Sequence, residues 1–152
     1  MNKIYLLLGS NINPENNIPI ALEYLKKIPG CMLLKTSGTW RTKPVGSCCT
    51  DFLNIAVLIE TSLNPTTLKS HLAAVESAMG RVRTEDKNAP RVIDLDIVAI
   101  NDRIIDAEVE VFDHLLLPLS EVAPDLILPG TKRTLAETSA ERLKTTAAVR
   151  AE

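Results

Sequence analysis

The stretch KNAPRVIDLDIV, residues 87–98, alternates aliphatic and acidic side chains through Ile93-Asp94-Leu95-Asp96-Ile97, the period-two pattern of a β-strand with one apolar face. Asp94 and Asp96 then share one side of the strand, and Ile93, Leu95 and Ile97 share the other. A strand that only fills a core has little reason to set two like charges side by side, because they repel each other and resist losing water. About 7 Å apart along one strand face, two aspartates suit a hard, oxygen-loving cation such as Mg2+, which keeps several waters and takes one or two carboxylates together with substrate phosphates. Just upstream, Arg81, Arg83, Lys87 and Arg91 gather four cations in a chain whose net charge is -2. Such a cluster beside two carboxylates has the makings of a site for a polyphosphate and its metal. Taken singly, an Asp-x-Asp strand is more often a solvated sheet face, and a basic loop is more often only wet. Their joint occurrence within residues 80–96 is far more specific.

Outward from this strand, the chain reads as strand, helix, strand, strand, helix, strand. Ile4 to Leu8 is a short apolar strand ended by Gly9. Ile18, Ala21, Leu22, Leu25 and Ile28 recur at helical spacing, with Pro19 tolerated near the helix start and Gly30 closing it. A strand over Cys31 to Arg41, a loop with Pro44 and Gly46, and a strand from Phe52 to Thr61 follow. Asn64-Pro65 is a capped helix start, with Leu68, Leu72, Val75 and Met79 as its buried stripe. That helix ends near Gly80, and Val92 to Ile100 is the last core strand. Two right-handed crossovers of this kind predict a ferredoxin-like βαββαβ sandwich of the α+β class, with the helices on one face of an antiparallel sheet and an irregular or helical C-terminal extension. Residues 1–130 are expected to form one domain, with 131–152 a tail that is part of it or frayed from it. Along the strand from Phe52, the residues Leu53, Ile55, Val57 and Ile59 face the helices, so Phe52 and Asn54 join Asp94 and Asp96 on an open face.

Composition narrows the function by exclusion. At 152 residues and 45% hydrophobic content the chain can bury a core as one domain. No long basic stripe and an aromatic content of only 3% argue against a nucleic-acid partner. No leader pattern or 18-residue apolar run is evident, so no membrane association is expected and the cytoplasm is the expected location. The three cysteines, Cys48 and Cys49 adjacent, form neither a disulfide framework nor a metal-ligand spacing. Neither G-x-x-x-x-G-K-[ST] nor G-x-G-x-x-G occurs, and Gly9-Ser10-Asn11 reads as a turn that ends a strand.

Residues 87–98 closely resemble the signature of the 6-hydroxymethyl-7,8-dihydropterin pyrophosphokinase family: a basic residue, any residue, Gly or Ala, Pro, Arg, two residues, then Asp, an aliphatic, Asp and two aliphatics. Similarity continues through Leu7-Leu8-Gly9-Ser10-Asn11, Trp40 to Gly46, Asp51-Phe52-Leu53-Asn54, Glu76 with Gly80-Arg81-Val82-Arg83, and Pro118 to Pro124, about residues 3 to 130. The resemblance implies transfer of the terminal diphosphate of ATP to a pterin hydroxymethyl group, with ATP as co-substrate and two Mg2+ ions on Asp94 and Asp96. It implies that Arg81 and Arg91 stabilise the phosphates, that Thr42, Lys43, Val45, Phe52, Asn54 and His114 bind the pterin, and that Glu76, Arg83 and Ile97 serve the nucleotide. Glu76 would either bind nucleotide or orient an arginine. A loop from Gly80 to Arg91 would close over ATP. The expected partners are these small molecules, and the expected state is a monomer or weak homo-oligomer.

One segment departs from the family pattern. Family members carry a Pro-His segment and then an Arg-x-Phe element after the last core strand, whereas here Asp106 to His114 runs directly into Leu115-Leu116-Leu117-Pro118 without the arginine. His114 falls where the stacking Phe of the family would be, and Phe112 would replace it only with a two-residue shift. The departure leaves two further readings beside the pyrophosphokinase: a divergent phospho- or diphosphotransferase acting on another pterin-like alcohol, and a non-catalytic ligand-binding module on the same fold.

Overall fold

The structure is a computed structural model that describes residues 1–43, 51–81 and 90–151. Its elements are β1 (Asn2–Ser10), α1 (Pro14–Lys26), β2 (Cys31–Thr36), β3 (Thr39–Thr42), β4 (Phe52–Thr61), α2 (Pro65–Ala78), β5 (Asp94–Ile100), β6 (Arg103–Ile104), α3 (Asp113–Val122), α4 (Leu135–Arg142) and β7 (Val149–Ala151). All pairings are antiparallel, in the order β6-β5-β1-β4-β3-β7 with β2 also on β4, which is the ferredoxin-like arrangement. The Asn64 side chain accepts the Thr67 N–H at 2.8 Å and Pro65 opens α2, so the predicted cap is present. Pro19 lies inside α1, which begins five residues earlier at Pro14.

Two apolar layers cover the sheet. On one side Ile4, Leu6 and Leu8 of β1, Ile55, Val57 and Ile59 of β4, and Leu95 of β5 pack against Ile18, Ala21 and Leu25 of α1 and Leu68, Leu72 and Val75 of α2. On the other, Tyr5, Leu7, Ala56, Leu58, Val98 and Ala99 pack against Leu115, Leu116, Leu119 and Val122 of α3, with Leu135 of α4 beneath. Helices α3 and α4 thus cover part of the face that the crossover helices leave open. Beyond that apolar cluster, β1, β4 and β5 present Gly9, Asn54 and Asp94 in one register row.

Two details differ from the sequence expectation. The single strand expected from Cys31 to Arg41 is divided at Ser37-Gly38: Ser37 Oγ accepts the Ala56 N–H at 2.8 Å and Glu121 Oε1 accepts the Gly38 N–H at 2.9 Å, so side chains replace part of the ladder. The Arg150 guanidinium lies where a Gly38 Cβ would stand, so any larger residue there would have to displace that side chain. In β5 the register with β1 slips between the Tyr5–Ala99 and Leu6–Ile97 pairs, leaving Val98 as the extra residue of a bulge. Val98 and Ala99 consequently enter the same core layer, against strict alternation. The tail folds: Thr134 and Glu137 form a reciprocal capping box at the start of α4, and β7 pairs with β3. Among the described residues no helix is long and apolar enough to cross a membrane.

Candidate active site

The uncovered end of the sheet carries two chemically distinct halves. On the acidic half, Asp94 is gripped by two guanidiniums: Arg81 Nη1 donates to Oδ1 at 2.9 Å and Arg91 Nη1 donates to Oδ2 at 2.8 Å. Arg81 Nη1 also donates to Glu76 Oε2 at 2.6 Å, and the same oxygen accepts the Leu95 N–H at 2.8 Å. Glu76 is only 4% exposed although it sits on a helix. Of the two roles open to it, the geometry displays the second, since its carboxylate holds Arg81 and ties α2 to β5. With Glu76 and Arg81 side chains 5% and 11% exposed, Glu76→Ala takes one carboxylate from a buried guanidinium and the acceptor from a strand N–H. It is expected to lower the unfolding free energy by about 3 kcal/mol, measured by urea denaturation.

Asp96 has solvent on one side, yet its carboxyl is pushed up to about 7. Loss of hydration is the largest cause, followed by the negative charges of Asp94 and Glu76 and a hydrogen bond with Asp94, and Arg81 opposes these. A cation between the two aspartates would relieve that repulsion and favour the ionised form. Among the described residues no group of three or more His, Cys, Asp or Glu side chains could cage a metal. Two carboxylates, Asp96 exposed and Asp94 shared with two guanidiniums, instead fit the small protein ligand set that Mg2+ completes with water and phosphate oxygens.

On the amide half, Asn54 is 3% exposed and its Nδ2 donates to Thr42 Oγ1 at 2.8 Å. A Cβ at Gly9 would stand 3.0 Å from Asn54 Oδ1 and 3.7 Å from the Phe52 ring, so glycine keeps both reachable from the open side. Phe52 is half-buried at the rim and Lys43 is exposed. His114, in the first turn of α3, has its pKa lowered by burial, while Asp94, Asp113 and Asp106 pull the other way. Phe112 packs on the core beneath α3, its ring centroid 5.4 Å from that of His114. Ile97 is partly buried against the α1/α2 layer and borders a cleft of about 260 Å³ with Thr66, Lys69, Leu72, Asp96 and Ile105. That cleft lies along the part of β5 that β6 does not reach, since β6 pairs only with Ala99 and Ile100.

The fold therefore brings Arg81, Arg91, Asp94, Asp96 and Glu76 together, with Thr42, Phe52 and Asn54 across β1 from them. Val45, Arg83, Lys87 and Asn88, and most of the loop expected to close over ATP, lie outside the described residues. Sequence reasoning passed over Gly9 and Asn11, treating them as a turn. It also did not foresee Arg142, which bonds Asp113 at 2.6 Å and the Glu110 carbonyl at 2.7 Å and so braces the shortened segment before α3.

A model of the 7,8-dihydro-6-hydroxymethylpterin-pyrophosphokinase (HPPK) family matches residues 5–124, spanning every element from β1 to α3. A 2-amino-4-hydroxy-6-hydroxymethyldihydropteridine pyrophosphokinase of Methylorubrum extorquens is 39% identical over 140 residues, covering 86% of this chain and 88% of that protein. The Haemophilus influenzae protein of the same name is 33% identical over 138 residues, 84% of this chain and 86% of its own length. A folic acid synthesis protein of Schizosaccharomyces pombe is 39% identical over 147 residues, but this chain spans only 20% of it. Among solved structures, the wild-type Plasmodium falciparum HPPK-DHPS with pteroate superposes with a TM-score of 0.73 at 12% identity, over 94% of this chain and 44% of that one. At that identity the likeness speaks for the fold. With the match running through the aspartate pair, its arginines and the Asn54 strand, the chain belongs to the HPPK family.

Proposed function

We propose that this protein transfers diphosphate from ATP to the hydroxymethyl group of 6-hydroxymethyl-7,8-dihydropterin and releases AMP. The observation that carries the reading is a single sheet face holding the Asp94-Asp96 pair with two guanidiniums beside it and the Asn54-Thr42 amide-hydroxyl pair across β1 from them. The acceptor oxygen bonds to the β-phosphorus of ATP as the bond from that phosphorus to the α–β bridging oxygen breaks. AMP carries off the bond's electrons, and the hydroxyl proton passes to solvent. Such transfers depend on positioning and charge stabilisation more than on a strong base.

Asp94 and Asp96 would hold Mg2+, two ions in this reading, which would supply neutralisation of phosphate charge. Arg81 and Arg91, both paired with Asp94, would turn to the phosphates. Ile97 and its cleft would take the nucleotide's base, with Glu76 acting through Arg81. The pterin would lie over Gly9, its ring edge bonded by Asn54 and Thr42, between Phe52 and His114. The segments carrying Val45 and Arg83 would complete the pterin and phosphate contacts. We assign the wall role to His114, in keeping with the partly buried Phe112 packing against the core.

Incubation with ATP, Mg2+ and the pterin should release AMP only when all three are present, and pterin-independent ATP hydrolysis would contradict the reading. Phe52→Ala should weaken pterin binding by about 1 to 3 kcal/mol if stacking matches that of bases on aromatic side chains, read by calorimetric titration in the presence of a non-hydrolysable ATP analogue. Tight nucleotide binding with no measurable pterin binding by the unaltered protein would sink the proposal.

A further inference from the structure

The buried end of β1 holds a polar residue for which diphosphate transfer has no direct use. Asn11 is 4% exposed, and a polar side chain so placed needs partners. Its main-chain N–H donates to the Arg91 carbonyl at 3.1 Å, and its Oδ1 accepts the Arg91 N–H at 2.6 Å. One residue thus holds both polar groups of another residue's main chain, which restrains position and rotation together. Pro90 has no N–H, so Arg91 offers the first main-chain donor on the approach to β5. Asn11 occupies it. Three residues on, Asp94 takes the Arg91 guanidinium at 2.8 Å.

The strand end that carries Asn11 is itself well held. Ser10 is fully buried, and its Oγ donates to the Ile12 carbonyl at 3.2 Å. Gly9, two residues before Asn11, pairs in register with both Asn54 and Asp94. The same backbone therefore borders the amide half of the site and anchors the arginine of the acidic half. We infer that Asn11 is a positioning residue for Arg91: it touches no reacting atom, and its Oδ1 holds the Arg91 main chain so that the guanidinium stays over the aspartate pair. The inference rests on the diphosphotransferase reading for its effect on turnover, but its structural content stands apart from it.

The test combines kinetics with amide exchange. Asn11→Ala should lower kcat about tenfold, the order of losing one buried hydrogen bond, and leave KM for the pterin within about twofold. In an Arg91→Ala background, adding Asn11→Ala should change kcat by less than about twofold, because residues that act as one unit are not additive. Hydrogen exchange of the Arg91 amide, followed by NMR without substrates, should speed up at least about tenfold in Asn11→Ala by the same hydrogen-bond arithmetic. Asn11→Leu, which keeps the volume, serves as a second variant should the alanine protein fail to fold. Losses that multiply in the double variant, or an Arg91 amide that exchanges as in the unaltered protein, would overturn the inference. An unaltered protein that releases no AMP would strike the proposed function instead, and the exchange measurement would still decide the role of Asn11.

Discussion

Arg91→Ala is expected to lower turnover by about 1,000-fold, the scale on which a placed guanidinium contributes to phosphoryl transfer, with a smaller effect on pterin binding in the absence of nucleotide. The geometry supports a large effect. The side chain is 30% exposed, its main chain is pinned by Asn11, and its Nη1 already stands 2.8 Å from Asp94. It can leave a carboxylate for a phosphate without moving its backbone. Lys87→Ala is the charge control and should matter little, since an ammonium lacks the planar fork that matches a phosphate. Steady-state assays of AMP release compare the two variants. Equal losses would point to the general positive field rather than to a positioned guanidinium.

Asp94→Ala and Asp96→Ala are each expected to lower turnover by at least about 100-fold, as when a main electrostatic stabiliser is removed. Neither side chain belongs to the apolar core, so the fold should persist, which circular dichroism and urea unfolding would check. The two variants should differ in the free protein. Loss of Asp94 takes a carboxylate partner from both Arg81 and Arg91, whereas loss of Asp96 removes a carboxyl that desolvation and the nearby charges of Asp94 and Glu76 make costly to ionise. Near wild-type turnover by either variant at saturating Mg2+ would exclude the metal-binding role.

Local pattern carried much of this protein. The alternation in Ile93 to Ile97 identified β5 and gave the two aspartates one face, and Asn64-Pro65 marked the start of α2, because both are written in neighbouring residues and enforced by backbone sterics. The apolar faces of β4 and α2 followed for the same reason, and with them the ferredoxin-like order of elements. The capping box at Thr134 was equally local, a Thr-x-x-Glu spacing ahead of Leu135 that goes unnoticed inside an Ala/Thr/Glu/Arg-rich tail.

What the chain order left open depends on residues far apart in sequence. That α3 covers part of the second sheet face, leaving the site at the end near Gly9, follows from packing of Leu115, Leu116 and Leu119 on Tyr5, Leu7 and Leu58. The bulge at Val98 answers to the register with β1, which no single strand specifies. From sequence Glu76 is expected to bind nucleotide or orient an arginine, but its anchoring is non-local: β5 supplies the Leu95 N–H, and Asp94 shares Arg81 with it. Asn11 and Arg91, eighty positions apart, share two hydrogen bonds that no spacing announces. The sequence alone decided which side chains alternate, cap and turn, since those choices rest on sterics and hydrogen bonds within a few residues. Only the tertiary structure decided which buried polar groups satisfy one another, because a buried donor must be met by whatever acceptor the fold brings near it.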